Sequence, residues 1–349
     1  MIKSLRIICL LLFLCALPLV ASAVPNPVSG KEIDRATWVP SIEPIKINDY
    51  LLAFYEGREI ANDPPFGKSY ANWIYWGAME PGIASYVIHQ GDTALVYDTM
   101  PVKEQAEWIL DYLKKMGIKK FTVILSHSHN DHVGGNEVFK NAGADIIASQ
   151  KTLDILTEAK DSIEGGYYRN VPDAPAIKPL IMPNILFEDK LVLYVGDIRV
   201  DALRYNIHSP DTTVLYLPKD KLLLSGDAIE DPVPYINNPG DSAEHVVGLK
   251  KLMKDLDFKT IYPNHGAPEK IKNGGFSREL PNVTIRYLAK LVKHCQDKDF
   301  LTKYSNLKEF IKDDLAKGEI VYFEPYEPLH LYNMKKVQEF FKDKKLPVF

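Results

Sequence analysis

SHSHNDHVGG, at residues 126–135, directly follows the apolar stretch FTVIL at 121–125. Four side chains that commonly bind metals lie within six of its residues: His127, His129, Asp131 and His132. They include three of the nine histidines of the chain, which is a poor fit to chance. FTVIL is typical of a buried strand, and a loop at the end of such a strand can direct its side chains to one point. Imidazole and carboxylate ligands suit zinc better than calcium, so the stretch predicts a zinc site.

The sequence on both sides of this stretch predicts alternating strands and helices. IKINDYLLAFYEG, from residue 45, is strand-like, and ASYVIHQGDTALVYDT at 84–99 predicts a hairpin that turns at Gly91 and Asp92. Helices are predicted at 101–117, 135–142, 150–160 and 243–256, and further strands at DIIAS, LVLYVG, TVLYL, KLLLSG and KTIYP. This alternation indicates one α/β layered domain that ends near residue 275. The Lys-rich amphipathic helices beyond it predict an extension packed on the domain.

The first 23 residues have the pattern of a secretory signal peptide. Lys3 and Arg6 precede an apolar run at 7–20, and an A-x-A cleavage pattern follows at Ala21 to Ala23. The alternative is an uncleaved membrane anchor, but the run is shorter than the ~20 residues that a spanning helix needs. We therefore expect cleavage after Ala23, a periplasmic or secreted protein, and no stable membrane span.

Composition excludes several other classes of protein. The 349 residues carry 42 basic and 46 acidic side chains, and 46% of them are hydrophobic, which is typical of a globular protein. The formal charge of -4 gives no electrostatic signature for binding nucleic acid. The three cysteines, Cys9, Cys15 and Cys295, are too few for a disulfide scaffold.

The HxHxDH pattern at 127–132 resembles the signature of the metallo-β-lactamase fold superfamily of hydrolases. This resemblance implies three further metal ligands downstream, and the matching residues occur in order: His208 in NIHSPDTTVLYLP, Asp227 in KLLLSGDAIED and His265 in IYPNHGAP. The similarity covers about residues 45–270. It implies a four-layer αββα sandwich. Together with the patterns above, this divides the chain into a signal peptide at 1–23, a hydrolase domain at 24–275 and a helical extension at 276–349.

The resemblance also implies how the ligands are shared between two zinc ions, for which iron or manganese is the alternative. The first ion would be bound by His127, His129 and His208. The second would be bound by Asp131, His132 and His265, and Asp227 would bridge the two. Asp98 matches the family's aspartate behind the histidine loop, where it would orient a ligand. Its alternative role is that of a simple turn cap.

This ligand set implies a metal-dependent hydrolase. A metal-bridging hydroxide would attack the carbonyl carbon of a carboxylic ester or lactone, with Asp131 as the catalytic residue that holds a proton. Dedicated β-lactamases of the superfamily usually have cysteine or serine where Asp227 stands. β-Lactamase-type amide hydrolysis is nevertheless the main alternative. A thioesterase and a non-catalytic zinc-binding accessory protein are the others.

The substrate is expected to be a small molecule with an apolar part. SYANWIYWGAMEPG, at 69–82, contains Trp73 and Trp76 and precedes the predicted hairpin, where related enzymes place a loop that flanks the pocket. We expect both tryptophans and Tyr262 to contact the substrate. The alternative for the aromatic segment, equally weighted, is packing onto the core or the extension. The sequence does not predict an oligomeric state.

Overall fold

The computed structural model describes residues 40–58, 81–166, 176–347 and 349. Its first sheet has seven strands, whose order in the sheet is their order in the chain. They are β1 (Glu43–Lys46), β2 (Leu51–Glu56), β3 (Ile83–Gln90), β4 (Thr93–Tyr97), β5 (Lys120–Ile124), β6 (Asp145–Ser149) and β7 (Ile185–Phe187). The first four strands pair antiparallel, and β4 to β7 pair parallel.

The second sheet has six strands in the order β13-β12-β11-β10-β9-β8. These are β8 (Lys190–Val195), β9 (Ile198–Arg204), β10 (Thr213–Leu217), β11 (Leu222–Gly226), β12 (Thr260–Pro263) and β13 (Phe276–Ser277). Only β11 and β12 pair parallel. A helical crossover joins these two strands, as parallel pairing requires.

Eleven α-helices and one short 3-10 helix, Pro239–Asp241, occur in the described residues. The α-helices are α1 (Lys103–Lys115), α2 (Asn130–Val133), α3 (Asn136–Asn141), α4 (Gln150–Glu164), α5 (Ser242–Asp255), α6 (Pro268–Lys272), α7 (Leu280–His294), α8 (Phe300–Lys303), α9 (Leu307–Phe310), α10 (Lys312–Ala316) and α11 (Tyr326–Phe341). None of these helices is long and apolar enough to cross a membrane.

Three apolar clusters divide the molecule into four layers. Strand β2 illustrates the division, because Leu52 and Phe54 face the cluster that contains α1, α3 and α4, whereas Leu51 and Tyr55 face the cluster between the sheets. This alternation follows from the two-residue period of a strand. The third cluster joins the outer face of the second sheet to α5, α7 and α11. The predicted αββα sandwich is therefore confirmed.

Most of the elements predicted from the sequence are present, with two corrections. The hairpin turns at Gly91 and Asp92, as expected. The segment from residue 45, predicted as strand-like, forms the hairpin β1–β2 rather than one continuous strand. The side chain of Asn48 accepts hydrogen bonds from the backbone N–H groups of Tyr50 and Leu51, which stabilises a turn there. Strands β7, β9 and β13 were not predicted.

The signal peptide prediction and the aromatic segment that contains Trp73 and Trp76 lie outside the described residues. The helices from α7 onward share one apolar cluster with the second sheet, and Leu288, Val292 and Val337 lie in it together with Val214 and Leu223. This packing agrees with the expected extension. The domain boundary at residue 275 stays a prediction.

Candidate metal centre

The seven candidate ligands come from four loops at one edge of the sandwich. His127, His129, Asp131 and His132 follow β5 of the first sheet, and the last two lie on the short helix α2. His208 precedes β10, Asp227 directly follows β11, and His265 follows β12 of the second sheet. The centre therefore lies where the ends of both sheets meet.

Among the described residues, two groups of ligand atoms are close enough to hold a metal ion. They are His127, His129, His208 and Asp227, and Asp131, His132, Asp227 and His265. Within each group the ligand atoms lie within 4.8 Å of one another, and all seven residues are buried. Asp227 belongs to both groups. The structure thus brings the predicted ligands together in the two predicted sets.

The unsatisfied atoms of the centre fit a metal. Nε2 of His127 and Oδ1 of Asp227 are buried without a hydrogen-bond partner, which is costly unless another group binds them. Nε2 of His208 lies 3.1 Å from Nδ1 of His129, and Nε2 of His265 lies 3.1 Å from Oδ2 of Asp131. A set of imidazole nitrogens and carboxylate oxygens is the donor set that zinc prefers.

Asp98 lies behind the histidine loop and contacts His132. Its Oδ2 lies 2.8 Å from Nδ1 of His132 and accepts a hydrogen bond of 2.6 Å from Nδ2 of Asn264. Its Oδ1 accepts a hydrogen bond of 2.6 Å from the backbone N–H of Ser126. A carboxylate that accepts the Nδ1 proton leaves Nε2 free to bind a metal. Nε2 of His132 indeed faces Asp227, at 3.1 Å.

Oxygen atoms also lie near Nδ1 of two further histidines, His265 and His208. Nδ1 of His265 lies 2.6 Å from the carbonyl oxygen of Gly82, which can accept its proton. Nδ1 of His208 lies 3.3 Å from Oε1 of Glu230, a buried carboxylate that the sequence analysis did not select. Its signal in the sequence is the acidic pair Glu230 and Asp231, which follows Asp227 after two apolar residues.

The charges of the centre follow from its carboxylates. Burial alone would raise the pKa values of Asp131 and Asp227, but the neighbouring His132 and His265 lower both below the ordinary range. Burial alone would lower the pKa values of His132 and His265, but Asp227 and Asp131 raise both well above the usual value. The carboxylates therefore favour protonation of these two histidines, and a metal bound by them would displace those protons.

The pKa of His127 is shifted in the opposite direction from those of His132 and His265. Burial lowers its pKa well below the usual value, and the neighbouring His132 and His129 lower it further. His127 is therefore neutral and ready to bind a metal through Nε2. The carboxylates thus favour protonation in the second group of ligands, whereas burial opposes it at His127.

Two glycines allow the histidine loop to pack this closely. A Cβ atom on Gly134 would lie 1.9 Å from the carbonyl oxygen of Pro101, and one on Gly135 would lie 2.2 Å from Cβ of Ala106. The backbone N–H of Thr99 donates to the carbonyl of His132 at 2.9 Å. The loop is thus fixed against the segment that contains Asp98.

The third predicted substrate contact, Tyr262, lies in the cluster between the sheets. It is 4% exposed and its ring centre is 6.2 Å from that of Tyr86. None of its described contacts is with a ligand of the centre, so its placement does not support a substrate contact. Cys295 and His330 are buried in the C-terminal helices, where packing was expected.

Comparisons with known proteins agree with this geometry. Residues 80–265, more than half of the chain, match the family model described as the metallo-beta-lactamase superfamily. A linear primary-alkylsulfatase of Pseudomonas sp. (strain ATCC 19151) is 24% identical over 52% of this chain, but the match spans only 41% of that protein. A probable hydroxyacylglutathione hydrolase of Schizosaccharomyces pombe is 23% identical over 66% of this chain and 78% of that protein.

The fold is also similar to solved structures. A metallo-beta-lactamase from Pontibacter korlensis has a TM-score of 0.53 and 19% sequence identity, and the match covers 71% of this chain and 98% of that one. At this identity the similarity concerns the fold alone.

Proposed function

Because the chain belongs to the metallo-beta-lactamase superfamily, we propose that it is a dinuclear zinc hydrolase of carboxylic esters or lactones. The observation that carries this proposal is that Asp227 belongs to both groups of buried ligands. A carboxylate shared between two sets of ligands is the arrangement that holds two ions together. Iron or manganese in place of zinc is the alternative.

Zinc ions bound in these groups would lower the pKa of water and polarise the carbonyl group of a substrate. The residues of the chain have separate tasks around them. Asp131 is kept ionised by His132 and His265, although burial opposes this by raising its pKa. An ionised carboxylate at this position can accept the proton of the attacking water, so we assign Asp131 a catalytic role besides ligation.

The charge of Asp227 supports an ester or lactone over a β-lactam. A carboxylate shared by both groups adds negative charge to the centre, and this would weaken metal ions held there as Lewis acids. Opening a β-lactam expels an amide nitrogen, which needs strong stabilisation, whereas an ester or lactone expels a better leaving group. A thioester also has a good leaving group, and the similarity to a probable hydroxyacylglutathione hydrolase makes a thioesterase the second candidate.

Metal analysis and a substrate panel test this proposal together. We expect protein purified without a chelator to contain about two ions per chain, mostly zinc. It should hydrolyse at least one lactone or activated ester with a higher kcat/KM than any penicillin or carbapenem. A thioester and a primary alkyl sulfate complete the panel. At most one ion per chain, or efficient penicillin cleavage beside inert esters and lactones, would contradict the proposal.

The variant Asp227→Ala tests the role of the shared carboxylate. Without the shared carboxylate, the variant should lose the second ion and most of its hydrolytic activity. Asp257→Ala is the control, because Asp257 is an exposed carboxylate that pairs with Lys221 away from the centre. The control should keep both ions and the activity of the unaltered protein.

We also propose that the protein is exported, and that its substrate is met outside the cytoplasm. The proposal rests on the basic start, the apolar run and the A-x-A pattern of residues 1–23. The proposed apolar part of the substrate rests on the segment that contains Trp73 and Trp76.

A further inference from the structure

Arg58 is a buried cation close to the metal centre that ligation does not use. Its side chain is 4% exposed, and Nη1 donates a hydrogen bond of 2.9 Å to Oδ2 of the fully buried Asp231. Its guanidinium group also lies 5.3 Å and 5.2 Å from the ring centres of Phe323 and Tyr326. Arg58 follows β2, whereas Phe323 precedes α11 and Tyr326 begins it, so the ion pair and these rings join distant parts of the chain.

Asp231 links Arg58 to the loop of His265 through hydrogen bonds. Its backbone N–H donates a hydrogen bond of 3.0 Å to the carbonyl oxygen of His265. Its Oδ2 accepts a hydrogen bond of 3.1 Å from the backbone N–H of Ala267. The carboxylate and backbone of Asp231 therefore hold the chain at His265 and two residues after it. Oδ1 accepts a third hydrogen bond, of 2.8 Å, from the backbone N–H of Val321.

Arg58 also fixes the chain on the other side of His265. Its Nε donates a hydrogen bond of 2.6 Å to the carbonyl oxygen of Pro81. The carbonyl oxygen of the next residue, Gly82, lies 2.6 Å from Nδ1 of His265. Arg58 thus positions both the backbone of the His265 loop, through Asp231, and the carbonyl group that selects the tautomer of its imidazole.

We infer that Arg58 is a positioning residue for the second metal site, the group formed by Asp131, His132, Asp227 and His265. The inference rests on the dinuclear centre proposed above. Without Arg58, Asp231 would be a buried carboxylate without its cation, and the His265 loop would lose its support from two directions. The first site uses no residue of this loop. Loss of Arg58 should therefore weaken one site selectively.

The inference also gives the C-terminal helices a role in metal binding. Val321 and Tyr326 belong to the segment after residue 276, and both contact the Arg58–Asp231 pair. Oη of Tyr326 lies 3.4 Å from Nη2 of Arg58. The extension thereby contacts the ion pair that supports His265, a ligand that lies outside the extension.

Stepwise zinc dissociation constants of the full chain test the inference. They are measured by competition with a chromophoric chelator, using zinc alone as the probe. Supporting groups of metal ligands typically change affinity 10–100-fold, and we expect Arg58→Met to weaken the second zinc by about this factor. The first constant should change less than about threefold. Arg58→Lys keeps the charge but cannot reproduce the forked contacts, so it should give an intermediate loss.

Arg286→Met is the control. Arg286 pairs with Asp314 and Glu319 within the C-terminal extension and has no described contact with the loops of the metal centre. This variant should lower stability without changing the ratio of the two constants. Equal weakening of both sites in Arg58→Met, or two unchanged constants, would overturn the inference.

The variants also separate this inference from the proposed function. Should Arg58→Met fail to fold, Arg58→Lys and Tyr326→Phe give the same test, with a smaller selective loss at the second site expected. Fewer than two zinc ions in the unaltered protein would instead reject the dinuclear centre itself.

Discussion

Asp98 and Glu230 each face the outer nitrogen of one ligand histidine. Asp98 lies against Nδ1 of His132 in the second group, and Glu230 lies 3.3 Å from Nδ1 of His208 in the first group. A carboxylate in this position fixes the tautomer of an imidazole and raises its basicity toward a metal. The two carboxylates therefore allow each site to be weakened separately.

Asp98→Asn is expected to weaken the second zinc about 10–100-fold. Asp98 accepts hydrogen bonds from Ser126 and Asn264 and faces Nδ1 of His132, so an amide would place one donor against another donor. Glu230→Gln should weaken the first zinc instead, because it removes the charge beside His208. Competition with a chelator resolves the two constants, and the same loss at both sites in either variant would contradict the assignment.

Sequence reasoning at this scale identified the residues that share a short motif. His127 to His132 lie within six positions, and the resemblance supplied His208, Asp227 and His265, which the structure brings to them. Arg58 had no such signal, because its partner Asp231 is 173 residues away in the chain. A buried ion pair between distant residues follows from tertiary packing, and local patterns do not predict it.

Helix α11 illustrates how an element can respond to pH. His330 is fully buried on this helix, and its Nε2 lies 2.8 Å from the carbonyl oxygen of Tyr304. Its Nδ1 lies 3.0 Å from the hydroxyl of Tyr287, which can donate to it. The neutral imidazole satisfies both contacts with one donor and one acceptor. Burial accordingly lowers the pKa of His330 below its usual value of 6.5.

This lowered pKa predicts a loss of stability in acid. In the unfolded chain His330 gains a proton as the pH falls below about 6.5, whereas the folded protein resists protonation. Its stabilising effect is therefore complete above pH 6.5 and declines below it. Glutamine keeps one donor and one acceptor but does not titrate. Between pH 7.5 and 5.5, the free energy of unfolding should therefore fall less in His330→Gln than in the unaltered protein.

Urea unfolding of both proteins at the two pH values measures this difference. Metal binding contributes the same pH dependence to both proteins, so its effect cancels in the comparison. His294→Gln is the control, because it removes a partly exposed imidazole paired with Asp297 from the same helical extension. The same fall in stability in His330→Gln and in the unaltered protein would refute the prediction.

The predicted elements differ from the observed ones where polar residues interrupt a pattern. Asn48 and Asp49 divide an apparently continuous strand because the Asn48 side chain binds the backbone of the turn. Strand β9 was missed although it alternates, because charged residues at Arg199 and Asp201 weaken its apolar signal. Their ion pair, at 2.7 Å, satisfies them at the face of the sheet.

At the scale of the whole molecule, the proposed export would determine which residues the mature protein retains. We predict that the mature protein begins at Val24, because signal peptidases cleave after an A-x-A pattern such as Ala21 to Ala23. Intact-mass measurement of the exported protein checks this start. A membrane-bound species that retains Met1 would show that residues 1–23 are an anchor instead.

The metal centre joins parts of the chain that are far apart in sequence. His129 and His208 are separated by 79 residues, and Asp131 and His265 by 134. An ion bound by each group would therefore act as a reversible cross-link between the two sheets. Closing a loop of about 100 residues removes conformational entropy from an unfolded chain equivalent to roughly 5 kcal/mol. By mass action, the free zinc concentration around the protein would then set its folding equilibrium as well as its activity.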